Sequence, residues 1–163
     1  MVGTVAEQTE KNIGPDSDGK STVTLTVPCK AEYVALGRLA VGALGAREGI
    51  DEETVADLKV AVTEACACFI TRTGVSPTGE APAILKIDFR VTPATWVITV
   101  SNPDRKARIR MSALCDPPFE GGLGLTIMRA LVDLVEESDT DEGGTVFRLV
   151  KHIGSDSSAA VQE

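Results

Sequence analysis

The chain reads as an α+β two-layer sandwich, with helices packed on one face of a mixed, mainly antiparallel sheet. Three observations carry that expectation. The elements run strand, helix, helix, two strands, long loop, helix, strand, an order that segregates helices to one side of a sheet. The segments ILKIDFRV and TWVITVS alternate apolar and polar residues on either side of a short turn, as a hairpin does. The 163 residues are 43% hydrophobic but only 4% aromatic, enough for one aliphatic core.

Taken in order, residues 1–20 are polar and small without periodicity, and are expected to form a disordered tail ahead of a domain spanning 21–153. STVTLTVPC alternates Val23, Leu25 and Val27 with threonines, the period of a half-buried strand, and Pro28 ends it. A helix over about 31–46 is expected to place Tyr33, Leu36, Leu39, Ala40, Ala43 and Leu44 on its buried face, with Gly49 as its break. The next helix has an N-cap in Asp51, acids Glu52 and Glu53 in its first turn, and Ile50 placed to staple onto Val55. Its core stripe is Val55, Leu58, Val62, Ala65 and Phe69. Asp57, Ala61, Glu64 and Cys68 fall on an adjoining face, with Glu64 and Cys68 one turn apart.

After the hairpin, joined through Thr92-Pro93-Ala94, residues 102–120 hold three prolines without a clean period and read as a long functional loop. A glycine-rich turn then opens a helix running to about 135, in which Leu123, Ile127, Met128 and Leu131 are the expected packing residues. An acidic loop, EESDTDEGG, leads to a last strand, TVFRLVKHI, and residues 154–163 form a second expected disordered tail.

Composition narrows the functional classes. A formal charge of -8 argues against a nucleic-acid surface, which needs clustered Lys and Arg facing phosphates. Cys29, Cys66, Cys68 and Cys115 contain no C-x-x-C pair, and His152 is the single histidine, so zinc spacing is absent. With no basic-then-apolar start and no run of 18 apolar residues, the sequence predicts neither export nor a membrane span, and a cytoplasmic protein with reduced thiols is expected. The stretch FEGGLGLTIMRAL is a local signal that is weak by itself. Such a turn exposes unpaired N–H groups and the positive end of a helix dipole, which suits an anion, and it equally suits a flexible entry to a core helix.

VADLKVAVTEACACFITRTG, WVITVSNPD, GGLGLTIMRALVDLVE and GGTVFRLVK resemble, in order and spacing, the anti-sigma-factor serine/threonine kinases (RsbW-type) of the GHKL ATPase superfamily. The resemblance covers about residues 21–153 and implies the histidine-kinase-like ATPase fold. It assigns Glu64 as the general base, a role a carboxylate within hydrogen-bond reach of a hydroxyl can fill. The family's magnesium-binding Asn falls at Cys68, and a thiol is a poor ligand for a hard cation. The family's adenine-reading Asp falls at Asn102, which keeps an acceptor carbonyl, and the glycine that follows it in the family falls at Asp104. Gly121, Gly122 and Gly124 keep the phosphate turn, Thr145 keeps a hydroxyl near the base, and Arg105 and Arg108 lie in the segment corresponding to the nucleotide lid.

The resemblance therefore implies ATP and magnesium as cofactors, with weak or absent binding expected here because two of the boxes are altered. It implies an RNA polymerase sigma factor and a STAS-type anti-anti-sigma factor as partners, and a homodimer. Sigma sequestration with weakened kinase activity ranks ahead of an active ATP-dependent protein serine kinase that phosphorylates its antagonist. An unrelated two-layer domain with a small-molecule ligand is the third reading.

Overall fold

A computed structural model describes residues 21–72, 83–103, 122–139 and 144–154. Five strands form one sheet in the order β1-β2-β3-β5-β4: β1 is Ser21–Pro28, β2 Ile84–Val91, β3 Thr95–Ser101, β4 Leu134–Asp139 and β5 Thr145–His152. All four neighbouring pairs are antiparallel. Three helices, α1 (Val34–Glu48), α2 (Glu52–Arg72) and α3 (Gly122–Leu131), pack on the sheet; a 3-10 turn at Ala31–Tyr33 leads into α1. The layered arrangement expected from the order of elements is the one found. Both expected tails lie outside the described residues, apart from Gly154, as do residues 104–121 of the long loop.

The sheet follows its own alternation. Leu85, Ile87, Phe89 and Val91 of β2, Trp96, Ile98 and Val100 of β3, and Phe147 and Leu149 of β5 are buried on the face toward the helices. The opposite face carries polar cross-strand contacts: Thr24 Oγ1 donates to Asp88 Oδ1 at 2.6 Å, Lys86 pairs with Asp88 at 3.1 Å, and Arg148 pairs with Glu136. The β2–β3 hairpin closes through Thr92, whose Oγ1 donates to the Thr95 carbonyl and accepts from the Thr95 N–H, both at 2.9 Å.

Helix α2 is the centre of the core. Leu58, Ala61, Val62, Ala65, Cys66 and Phe69 are almost wholly buried, and Phe69 meets Phe147 of β5 with ring centroids 5.2 Å apart. A tilted aromatic pair of this kind contributes about 0.5–1.5 kcal/mol beyond its burial. The start of α2 is capped as expected: Asp51 Oδ1 accepts from the Thr54 N–H at 2.8 Å. Helix α1 ends at Gly49, whose φ of 66° is the left-handed conformation that glycine adopts without strain, and both the Gly49 and Ile50 N–H groups return to the Gly45 carbonyl.

Three expectations are corrected. The buried stripe of α1 is Val34, Gly37, Val41, Leu44 and Gly45, whereas Leu36 and Leu39 face outward. The reason is close packing: a Cβ on Gly37 would lie 3.2 Å from both Ile87 Cδ1 and Val62 Cγ1, and one on Gly45 would lie 2.5 Å from Val55 Cγ2. Two glycines of the inward stripe, Gly37 and Gly45, thus let α1 approach its neighbours closely. The helix after the glycine turn stops at Leu131, and residues expected in its last turn and the acidic loop form β4, an edge strand. Leu131, Val132, Leu134 and Val135 suit a helical stripe by spacing, but Asp133 N–H bonds to the Val150 carbonyl and starts a sheet ladder instead. Finally, Met128 of α3 is buried as expected and Ile127 and Leu131 are half-buried, but Leu123 is 68% exposed and Leu125 takes its place in the core.

Two predictions follow from this packing. Gly45→Ala gains about 1 kcal/mol of helix propensity but drives a methyl group into β-branched Val55, whose χ1 is restricted in a helix. Overpacking of about 1–3 kcal/mol outweighs the gain, so urea unfolding should show a loss of stability. Gly42→Ala, whose Cβ would meet only the mobile Lys59 Cε at 3.3 Å, should stabilise. At the α2 cap, hydrogen bonds from Thr54 hold the Asp51 carboxyl below its ordinary 3.8. A depressed carboxyl stabilises the fold in full above the unfolded value and loses that contribution as pH falls through the folded value. Melting curves should therefore show Asp51→Ala less stable than the parent at pH 7, with the gap closing below about pH 3.8.

Candidate functional site

Glu64 stands in the middle of α2 on the side that meets α3, and it is half-buried. Across from it, Gly124 sits in the first turn of α3. A Cβ added there would lie 2.8 Å from Glu64 Oε2, so the carboxylate rests where any other residue would place its side chain. Gly49 is the only glycine with positive φ among the described residues. What Gly124 provides is therefore room for the close approach of a carboxylate, with no unusual backbone conformation.

A second pair of candidates lies on the sheet. The ladder between β3 and β5 ends with Ser101 opposite Val146; Asn102 follows β3 and Thr145 opens β5 at that same end. Asn102 is 0% exposed and Thr145 is 1% exposed. Neither Nδ2 nor Oδ1 of Asn102 has a hydrogen-bond partner among the described residues. A buried amide with both atoms unsatisfied is costly, because each polar atom has given up water and gained nothing. Such atoms suit a polar ligand group or a buried water. Gly122 begins α3, while Gly121, Arg105 and Arg108 lie outside the described residues.

These features fit the base and phosphate parts of a nucleotide. Asn102 would hold the polar edge of the base beside Thr145, and the N-terminal turn of α3 would receive an anion through its free N–H groups. Cys68, one turn beyond Glu64, is a poor magnesium ligand: it is 6% exposed and offers a thiol where a hard cation takes oxygen. Cys29, Cys66 and Cys68 are all buried and behave as core side chains. Burial, with smaller contributions from neighbouring Cys29 and Cys68, pushes the Cys66 thiol up to about 12, so it stays protonated and unreactive at neutral pH.

Glu64, Gly124, Asn102 and Thr145 are candidates that the sequence named; it did not anticipate the apolar outward face of α1. There, Ala35, Arg38, Leu39, Gly42, Ala43 and Lys59 line a shallow groove of about 570 Å³, and Leu39 is 67% exposed. Gly37, Val41 and Gly45 recur every four residues along the face that packs closely, which leaves Leu36 and Leu39 on the other side.

The chain belongs to the histidine kinase-like ATPase domain family, whose match spans residues 27–151. It is similar to the serine-protein kinase RsbW of Listeria innocua, 29% identical over 141 residues covering 80% of this chain and 87% of that protein. It is likewise similar to RsbW of Bacillus thuringiensis, 28% identical over 137 residues covering 80% and 84%. Among solved structures, the RsbU and RsbW domains of a Mycobacterium tuberculosis protein superpose with a TM-score of 0.59 at 17% identity, over 80% of this chain and 32% of that one. The SiaB–SiaC complex of Pseudomonas aeruginosa gives 0.53 at 14% identity, over 80% and 89%. The structural likenesses extend to the fold.

Gly124→Ala separates the site from the scaffold. The atom in its way is the far end of a flexible side chain, so Glu64 can swing aside and helix propensity should raise stability by up to about 1 kcal/mol. The same swing moves the carboxylate off the α3 turn. A variant as stable as the parent or more so, with altered nucleotide affinity by calorimetry, is the expected result.

Proposed function

We propose that this protein is an anti-sigma factor: it sequesters an RNA polymerase sigma subunit, is released by a STAS-type antagonist, and retains a nucleotide site whose magnesium-dependent phosphoryl transfer is weakened. The observation that carries the binding role is the outward face of α1, where Leu36 and Leu39 are exposed beside Arg38 on an otherwise acidic chain. Large apolar side chains left uncovered on one helix, rimmed by cations, suit a partner surface that is itself apolar with acidic flanks. The likeness to RsbW kinases over four-fifths of the chain supports the same reading. We place the protein in the cytoplasm as a homodimer; no described helix is long and apolar enough to cross a membrane.

The weakened chemistry rests on Cys68. Phosphoryl transfer depends almost wholly on positioning and on neutralising charge, and a buried thiol supplies neither at the position where an amide oxygen would be needed. The alternative, an active kinase phosphorylating a serine of its antagonist, draws on Glu64. Its carboxylate lies against the first turn of α3, within the region where a hydroxyl approaching a phosphoryl group would have to give up its proton.

A binding assay against the sigma subunits of the source organism tests the first reading. The parent should capture one of them, and Leu39→Asp, which changes a side chain already in water, should keep its melting temperature while losing at least ten-fold in affinity. Capture of none would overturn the proposal. For the chemistry, chelating magnesium should change ATP affinity less than about three-fold in the parent, and Cys68→Asn should make it metal-dependent. A parent affinity that collapses on chelation would move the active kinase ahead.

A further inference from the structure

We propose that the nucleotide site admits 6-oxopurine nucleotides as well as 6-aminopurine nucleotides, because the amide of Asn102 is free to face the base in either orientation. This rests on the reading of Asn102 as the residue that meets the base. The 6-position of a purine is a donor in adenine, which carries an amino group, and an acceptor in hypoxanthine and guanine, which carry a carbonyl oxygen. A carboxylate facing that position can only accept, so it selects the amino group and repels the oxygen. A carboxamide has both functions: Oδ1 accepts from the amino group, and after a half-turn about χ2 Nδ2 donates to the oxygen.

What decides between one orientation and both is whether the protein fixes the amide. In most buried Asn side chains one hydrogen bond to the surrounding chain settles which end is the donor. Here both Nδ2 and Oδ1 are buried and neither is bonded to another described residue. The side chain is fully enclosed, so its position is set while its polarity is not. A fixed, two-bond contact of an amide to a base edge discriminates by about 10- to 100-fold. An amide that can turn forfeits that discrimination and gains tolerance in its place. Either base satisfies the buried amide, so either removes the cost it carries in the free protein.

The experiment is isothermal calorimetry of the full chain with ATP and with inosine triphosphate, which differs from ATP on the edge in question and lacks the extra amino group of guanine. The parent should bind the two with dissociation constants within about three-fold of each other. Asn102→Asp, an acceptor only, should favour ATP by ten-fold or more, and Asn102→Ala should weaken both nucleotides by the same factor. The alanine variant removes an unsatisfied amide and serves as the folded control should the buried aspartate fail to fold. A parent that holds ATP ten-fold or more tightly than inosine triphosphate overturns the tolerance while leaving the base contact in place. Equal affinities that neither substitution alters, or binding of neither nucleotide, would overturn the base contact itself.

Discussion

Everything in this fold depends on how closely α2 can be approached. The helix is buried along most of its length, and its neighbours come near only because they present glycine to it: Gly37 against Val62, Gly45 against Val55 and Gly124 against Glu64. Burying α2 on three sides removes the apolar surface of Leu58, Val62 and Phe69 from water, each worth about 1.5–3 kcal/mol when fully buried. The same geometry decides which side chains of α1 are left outside. With Gly37 and Gly45 on the packed face, Leu36 and Leu39 are left outside, so the exposed apolar strip and the tight helix pair share one cause.

The site inherits this economy of space. At two of the contacts with α2, glycine meets a methyl group and the result is core. At the third it meets a carboxylate, and the result is a charged group held at the edge of the core beside the opening turn of a helix. Asn102 and Thr145 lie together at one end of the β3–β5 ladder. Cys68 is the discordant member: it lies one turn beyond Glu64, yet its side chain has joined the apolar interior. A thiol fills buried space well and coordinates a hard cation badly.

Much of this was legible beforehand, and the exceptions are instructive. Strand boundaries at 84–91 and 95–101 came directly from alternation and the Thr92-Pro93-Ala94 turn, and the Asp51 cap from its residue type, because these features are local. The inward face of α1 was not legible from hydrophobicity, since Leu36 and Leu39 outrank glycine on any such scale; the deciding fact, the proximity of Val55 and Ile87, belongs to the tertiary structure. β4 was hidden for a related reason. Its residues alternate weakly, and its strand character comes from pairing with β5 from Leu134 opposite Val150 to Asp139 opposite Thr145. At the site, sequence supplied the candidates, but the orphaned amide of Asn102 and the seat of Glu64 on Gly124 are matters of burial and distance.

The end of α3 remote from the site is tied firmly to the sheet. Lys151 Nζ donates to the Leu131 carbonyl at 2.9 Å, Asp133 N–H donates to Val150, and the Asp133 carboxylate accepts from the His152 N–H. The helix is in effect a cantilever clamped at its C-terminal end, with Gly122 and Gly124 at the tip. Ten residues at 1.5 Å per residue make a lever of about 15 Å, so a tilt of about 5° at the clamp displaces the tip by about 1.3 Å. A displacement of that order decides whether the Glu64 carboxylate stays against the turn at Gly124. Small angular changes in the β4–β5 edge would thus be magnified at the far end of the helix, and residues with no chemistry of their own, Asp133 and Lys151 among them, set the stiffness with which the carboxylate is held in place.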